Sequence, residues 1–456
     1  MKQRILSIIL LIAALAPGFD APAATRVDKF GVDTEVCDPV LIYTGGLSKR
    51  ALWTKANIRP YIVNTYADGH KDWFFDTFIF NETNWYDSKT GETRVLCNAG
   101  GGQLPATQAD WLAWLDVIFG GTTDLRALDD EIGNQKAVLG TPPLQHKVLI
   151  GMCYPCKDGR GTPGKCEWKK FDWGRIDGKD MDFTLQRHRI AAATWFVDEA
   201  LRRFNEAGFK NIELAGFYCT EETMYTIGDI ADDINDYIHS LGLRSYWIPY
   251  WANNDQYAFE WKDKYHFDMT WRQPNYFFYT SSGSLPPMRQ LTDCIESSKE
   301  YGLGLELEYE TSSTSNGLHS HSPKMHQRFI DYIDKFEEYG VWAESGVAHY
   351  FGSKGLLDVR NNGDEVDRAT IDRLADIVAA RRKTFSGVSE TEITLPEAPF
   401  ALAGHGEIYI TAATPEGAVY NLAGTLLHSG SGTFLCPAGI YIATDGKGKA
   451  VKLRVY

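Results

Sequence analysis

After residue 36, hydrophobic and polar positions alternate in a fixed rhythm. A short apolar run of strand character is followed by a polar turn, then by a segment with apolar residues at helical spacing, then by another short run. VLIYTG (40–45) opens the series and FFDTFIFNE (74–82) comes second. HKVLIGMCYP (146–155), NIELAGFYCTEE (211–222) and RSYWIPYW (244–251) follow, then FDMTWRQPNYFF (267–278), GLGLELEYE (302–310) and GVAHYFGS (346–353). Segments such as LQRHRIAAATWFVDEALRRFNEAG and HQRFIDYIDKFEEYG carry the helical period between them, and EVDRATIDRLADIVAARRK closes the series. Strands alternating with helices predict a parallel sheet. Eight such units over roughly 350 residues predict a (β/α)8 TIM barrel with enlarged loops, spanning 37–385. A doubly wound open sheet is the alternative. No G-x-G-x-x-G turn follows the first strand, which weakens a dinucleotide reading.

Helical periodicity stops after Lys383. TEITLP, GEIYITAA, GAVYNLAGTLLHS and the final GTFLCPAGIYIATDGKGKAVKLRVY are short β-type runs separated by Gly- and Pro-rich turns. They predict a small antiparallel, sandwich-like β domain over 390–456. At the other end, Lys2 and Arg4 precede an apolar run from Ile5 to Ala16 and an Ala-Pro-Ala at 21–23. This pattern predicts a signal peptide over 1–23 and hence export to the periplasm, the cell surface or the medium. The apolar run is too short to span a bilayer, and no later stretch reaches that length.

Composition narrows the partners. Net charge is −14, which disfavours nucleic acid and anionic membranes. Aromatic residues make up 13%, more than packing alone usually needs, and rings with a polar edge stack on sugar faces. A carbohydrate substrate is therefore one reading and a large aromatic core the other. Eight cysteines are present; Cys153, Cys156 and Cys166 form the one cluster and suit a disulfide-stapled or reduced loop better than a zinc knuckle, which wants a fourth ligand. The His319, His321 and His326 run is a weak metal signal, and no metal or cofactor is expected. H-E-x-x-H, P-loop and G-x-S-x-G motifs are absent. Oligomeric state is not legible.

The chemistry resides in carboxylates. In GLGLELEYE, Leu303, Leu305 and Leu307 suit the helix layer, so Glu306 and Glu308 point into the barrel, with Glu310 near its rim. Inward residues late in a strand lie at the C-terminal mouth, where barrel active sites form. Acids buried there are costly unless paired or used. Glu221 and Glu222 stand where the fourth strand ends. One acid to protonate a leaving oxygen and one to attack the anomeric carbon, or to activate water, is the requirement of glycoside hydrolysis.

An acid after strand four and a glutamate late in strand seven resemble the large barrel clan of retaining glycosidases, in which the first is acid/base and the second nucleophile. More narrowly, DWFFDTFIF, IELAGFYCTEE and LGLELEYE resemble the bacterial domain-of-unknown-function 4855 family, over roughly residues 37 to 385. The resemblance implies Glu222 as acid/base and Glu308 as nucleophile. The Asn-Glu pair common in the wider clan is Thr220-Glu221 here, so the choice between Glu221 and Glu222 stays open. The tail resembles the sorting-like β domains of exported Bacteroidetes proteins, through its PAGIYI strand and final basic strand. Glu306 and Glu310 are also candidate substrate contacts, and other strand ends supply more: Asp76 and Asn81 on the second strand, Tyr154 on the third, Tyr218 on the fourth, Trp251 and Asn253 after the fifth. Trp271, Gln273, Asn275 and Tyr276 belong to the sixth and Tyr350 to the eighth. The expectation is an exported glycoside hydrolase; a non-catalytic glycan-binding barrel and a polysaccharide lyase are the alternatives.

Overall fold

A computed structural model of the 456-residue chain describes most of residues 36–385 and 401–455. Segments 1–26, 46–51, 97–103, 156–171, 251–254, 279–287, 312–316 and 386–400, with several shorter stretches, lie outside the described residues. So do the expected signal peptide, Trp251, Asn253, Cys156 and Cys166. The chain divides into a unit over Ala21–Val388 and a second unit that includes Ser389–Tyr456.

The larger unit is a closed parallel barrel. Its strands are β1 (Pro39–Tyr43), β2 (Thr77–Asn81), β3 (His146–Gly151), β4 (Ile212–Cys219), β5 (Arg244–Trp247), β6 (Met269–Arg272), β7 (Gly304–Glu308) and β8 (Val347–Tyr350). They pair in the order β3-β4-β5-β6-β7-β8-β1-β2, and β2 closes on β3. Each expected strand is present, and helices lie between them as the rhythm implies. One boundary moves with consequence. The second strand begins at Thr77, since Phe74 and Phe75 pack in the helix-facing core.

Two hydrophobic layers hold the barrel. The outer one, between strands and helices, includes Leu305 and Leu307 of β7 and Leu303 just before it, with Phe329, Ile333 and Phe336 of the helix Pro323–Glu338. That helix carries its apolar residues three and four apart, so they form a single buried stripe. The inner layer fills the barrel with Leu41, Ile79, Leu149, Tyr246, Met269 and Trp271. Tyr246 and Trp271 stack at 5.5 Å between centroids. Gly304 makes room for this floor: a Cβ there would lie 2.5 Å from Trp271 Cδ1 and 2.8 Å from the Gly346 carbonyl. A packed interior of this kind leaves the strand ends as the place for a site.

The smaller unit has two antiparallel sheets. One is Ala401–Ala403, Glu407–Ile410 and Gly432–Leu435; the other is Leu426–Ser429, Ala418–Asn421, Gly439–Thr444 and Ala450–Val455. Ile408, Ile410, Val419, Ala443, Leu453 and Val455 form its core.

Candidate active site

Strand register places the acids at the C-terminal mouth. β7 runs beside β8 with Glu306 opposite Ala348 and Glu308 opposite Tyr350. Trp271 on β6 is level with Gly304, so Glu306 sits one inward position above the Trp271 floor. Glu306 is 1% exposed, and its Oε2 meets no hydrogen-bond partner among the described residues. Burial drives its pKa well up, and the neighbouring Glu308 and Glu222 push it further.

Glu308, the last residue of β7, is fully buried and held from the rim. The Tyr332 hydroxyl, on helix Pro323–Glu338, donates to its Oε2, and the Phe277 N–H donates to the same oxygen at 3.3 Å. The backbone N–H groups of Asn275 and Tyr276 also favour its charged form. Asn275 adopts a positive φ of 53°, a conformation that asparagine tolerates better than most residues, and the Tyr276 N–H also donates to the Tyr332 hydroxyl at 3.3 Å. Burial still dominates, and the Glu308 carboxyl is raised to about 7. Its Oε1 is left without a partner among the described residues. The two inward acids of β7 thus differ: hydrogen bonds draw Glu308 toward ionisation, while the neighbouring Glu308 and Glu222 push Glu306 away from it.

At the end of β4, Glu221 and Glu222 diverge. Glu221 is 1% exposed and its Oε2 accepts from Thr226 Oγ1 at 3.2 Å. Its carbonyl accepts from Trp247 Nε1 at 2.6 Å. Glu222 is solvent-accessible, yet protein crowds it and burial raises its carboxyl pKa. It acts electrostatically on Glu306 and on the Tyr218 hydroxyl. Its carbonyl accepts the Tyr250 N–H at 3.1 Å, tying the end of β4 to the segment after β5. Thr220 Oγ1 donates to the Met152 carbonyl at 2.6 Å, so the residue in the clan's asparagine position braces β3 against β4.

The remaining candidates separate into three groups. Tyr218, Asn81 and Tyr350 belong to the mouth. Tyr218 is buried beside Tyr43 and Glu306. Asn81 is 1% exposed with Oδ1 unpartnered among the described residues, and Gly151 lets it approach β3, since a Cβ there would lie 2.8 Å from Asn81 Cβ. Tyr350 meets Tyr43 and Phe278 edge-on, each at 5.8 Å. Gln273 and Glu310 are partly exposed just past their strands.

Four candidates are corrected. Asp76 precedes β2, so it lies at the opposite end of the barrel, beside Asp38 at the start of β1; burial raises its pKa to about 6. Trp271 is fully buried in the inner layer and serves as floor. Tyr276 turns away, its hydroxyl donating to Asp331 at 2.7 Å, and contributes to the mouth through its backbone. Tyr154 is buried in the outer core. Asn275 likewise acts through its backbone, while its side chain donates to Tyr250 Oη at 3.1 Å. Tyr332 was not foreseen. It lies on the buried stripe of a helix, where an aromatic residue reads as core. Among the described residues, no group of His, Cys, Asp or Glu is arranged to hold a metal, and His319 pairs with Asp364 at 2.8 Å.

An eight-stranded parallel barrel with three carboxyls gathered at its C-terminal mouth is the class of molecule these features define. The chain belongs to the domain-of-unknown-function 4855 family, whose model matches residues 38–376. It is similar in outline to an Anoxybacillus alpha-amylase (12% identity, 93% of this chain and 98% of that one, TM-score 0.34). It is similar also to a tri-modular GH5 (subfamily 4) endo-beta-1,4-glucanase from Bacillus licheniformis (12%, 94% and 79%, TM-score 0.34). Concanavalin B is a third (10%, 75% and 99%, TM-score 0.31). No curated protein matches the sequence.

Proposed function

We propose that the protein is a glycoside hydrolase in which Glu308 is the nucleophile and Glu222 the general acid/base. The observation that carries this reading is that the β4 and β7 acids stand at the C-terminal ends of their strands, where Glu222 and Glu308 both bear electrostatically on the buried Glu306. Their environments suit the two roles. Glu308 has one oxygen fixed by Tyr332 and the loop amides and the other unpartnered among the described residues, as an attacking carboxylate needs. Glu222 is reachable from the mouth and its pKa is raised, as a proton donor to a leaving oxygen needs. Glu221 is the weaker choice because its carboxyl faces Thr226.

In the double-displacement scheme, Glu308 attacks the anomeric carbon while Glu222 protonates the departing oxygen. Glu222, now a carboxylate, then deprotonates the water that releases the sugar from Glu308. Tyr43, Tyr218 and Tyr350 supply ring faces and hydroxyls around the sugar. Glu308 is anchored by a tyrosine and by backbone amides rather than by an arginine, which favours a reactive over a merely structural acid. From the basic and apolar pattern of residues 1–23 we infer export, and for the C-terminal β unit we propose an accessory or surface-routing role.

The test is hydrolysis of a panel of plant and host glycans, read as reducing ends, by the wild type and by Glu222→Gln and Glu308→Gln. Release by the wild type that falls at least about a thousandfold in both variants supports the assignment. Undiminished turnover in Glu308→Gln removes that residue from the chemistry.

A further inference from the structure

Two-carboxyl hydrolysis leaves Glu306 without a task, yet it is the most costly acid in the mouth. It lies fully inside the barrel, one inward position above an indole floor, and its Oε2 has no partner among the described residues. Glu308 and Glu222, both acids, raise its pKa further, and among the described residues no Lys, Arg or His is found to offset them. Such a residue lowers stability and is expected only where a ligand repays it.

Three unpartnered oxygens on inward positions of the barrel strands share a chemistry. Asn81 Oδ1 on β2 and, once ionised, Glu306 Oε2 and Glu308 Oε1 on β7 are all acceptors, so a cation that ionises the two acids gains all three. A group that suits them carries several donors, no acceptor and a positive charge. A metal ion is disfavoured, since no side-chain cluster among the described residues is arranged to bind one. An ammonium group fits, having three N–H donors and no acceptor. Tyr43 and Tyr218, which pack together in the inner layer, are aromatic residues of the kind whose rings attract a cation.

We propose that the glycan recognised at this mouth contains an amino sugar with a free ammonium group, and that Glu306 is the residue that takes that group. The inference rests on the glycan reading of the site and adds its substrate class. An N-acetyl group would bring a carbonyl acceptor and a methyl to an acceptor-rich floor, and a hydroxyl would bring one donor and no charge. Both should bind less well.

The test measures binding, so it does not depend on turnover. Full-length protein is titrated, by ligand-observed NMR and thermal shift, with glucosamine and galactosamine against glucose, galactose and the two N-acetyl sugars. The expected result is a preference of roughly tenfold or more for an amino form over its N-acetyl and hydroxyl counterparts, lost in Glu306→Gln. Equal or weaker binding of both amino sugars by the wild type overturns the proposal, as does a preference that survives in Glu306→Gln. If that variant does not fold, the wild-type comparison alone decides. Amino-sugar binding without hydrolysis of any glycan would keep this inference and end the hydrolase reading; hydrolysis of neutral glycans without the preference would do the reverse.

Discussion

Replacing Glu308 by glutamine should stabilise the barrel, and the size of the effect follows from its surroundings. Burial raises the folded carboxyl to about 7, from an ordinary value of 4.5. Between those values the folded chain keeps a proton that the unfolded chain has released. Stability therefore falls as pH rises through this window. At about 1.36 kcal/mol per pH unit, the loss reaches roughly 3 kcal/mol by neutral pH. Glutamine cannot ionise, so the variant escapes it, and its amide oxygen can still accept from Tyr332. Below pH 4.5 the two proteins should melt alike, because both carry a neutral side chain. Unfolding entropy for a unit of about 350 residues is roughly 0.7 kcal/mol per degree, so the gain at pH 7.5 comes to about 4 °C. Differential scanning calorimetry from pH 4.5 to 7.5 reads it directly, following the barrel transition. A Tm difference that does not grow with pH, or a variant that is less stable throughout, would refute the argument that an unpaid carboxylate is buried here.

Further consequences can be checked on active protein. The acidic limb of the kcat/KM profile should have an apparent pKa near 7, because Glu308 must ionise to attack; a limb near 4 would contradict its burial. Tyr332→Phe removes a donor that favours the Glu308 carboxylate, so that limb should move to higher pH and kcat/KM at pH 6 should fall about tenfold or more. An unchanged profile would make Tyr332 a packing residue alone. Asp76→Asn should leave kcat/KM within about twofold, since Asp76 lies at the far end of the barrel; a large loss would reverse that placement. Gly304→Ala should cost about 1–3 kcal/mol in denaturant melts, because its methyl meets the Trp271 ring and the Gly346 carbonyl.

Much of the fold was readable because each layer imposes its own period. Leu303, Leu305 and Leu307 had to share one face, which sent Glu306 and Glu308 to the other. Alternation fixes the side of a strand but not its ends, and Asp76 was misplaced for that reason: Phe74 and Phe75 extend the apolar run without extending the strand. Trp271 illustrates a second limit. Whether an inward indole is floor or platform depends on a gap left by Gly304 on the next strand, a pairing that no local pattern records. Asn275 and Tyr276 act through backbone amides, which residue type does not reveal. Tyr332 reaches Glu308 from a helix whose Phe329, Ile333 and Phe336 mark it as ordinary core, so only the folded geometry distinguishes it. The proposed preference for Glu222 over Glu221 likewise rests on where Thr226 lies.

The division of labour between the two acids is tested most directly by azide rescue, followed by proton NMR of the anomeric centre. On a substrate the wild type cleaves, Glu222→Ala with azide should yield a glycosyl azide of retained configuration, because azide displaces the Glu308 ester from the opposite face, where the Glu222 carboxylate is missing. Glu308→Ala should yield the inverted product. The same configuration from both variants, or rescue of neither, would contradict the assignment of Glu308 as nucleophile and Glu222 as acid/base.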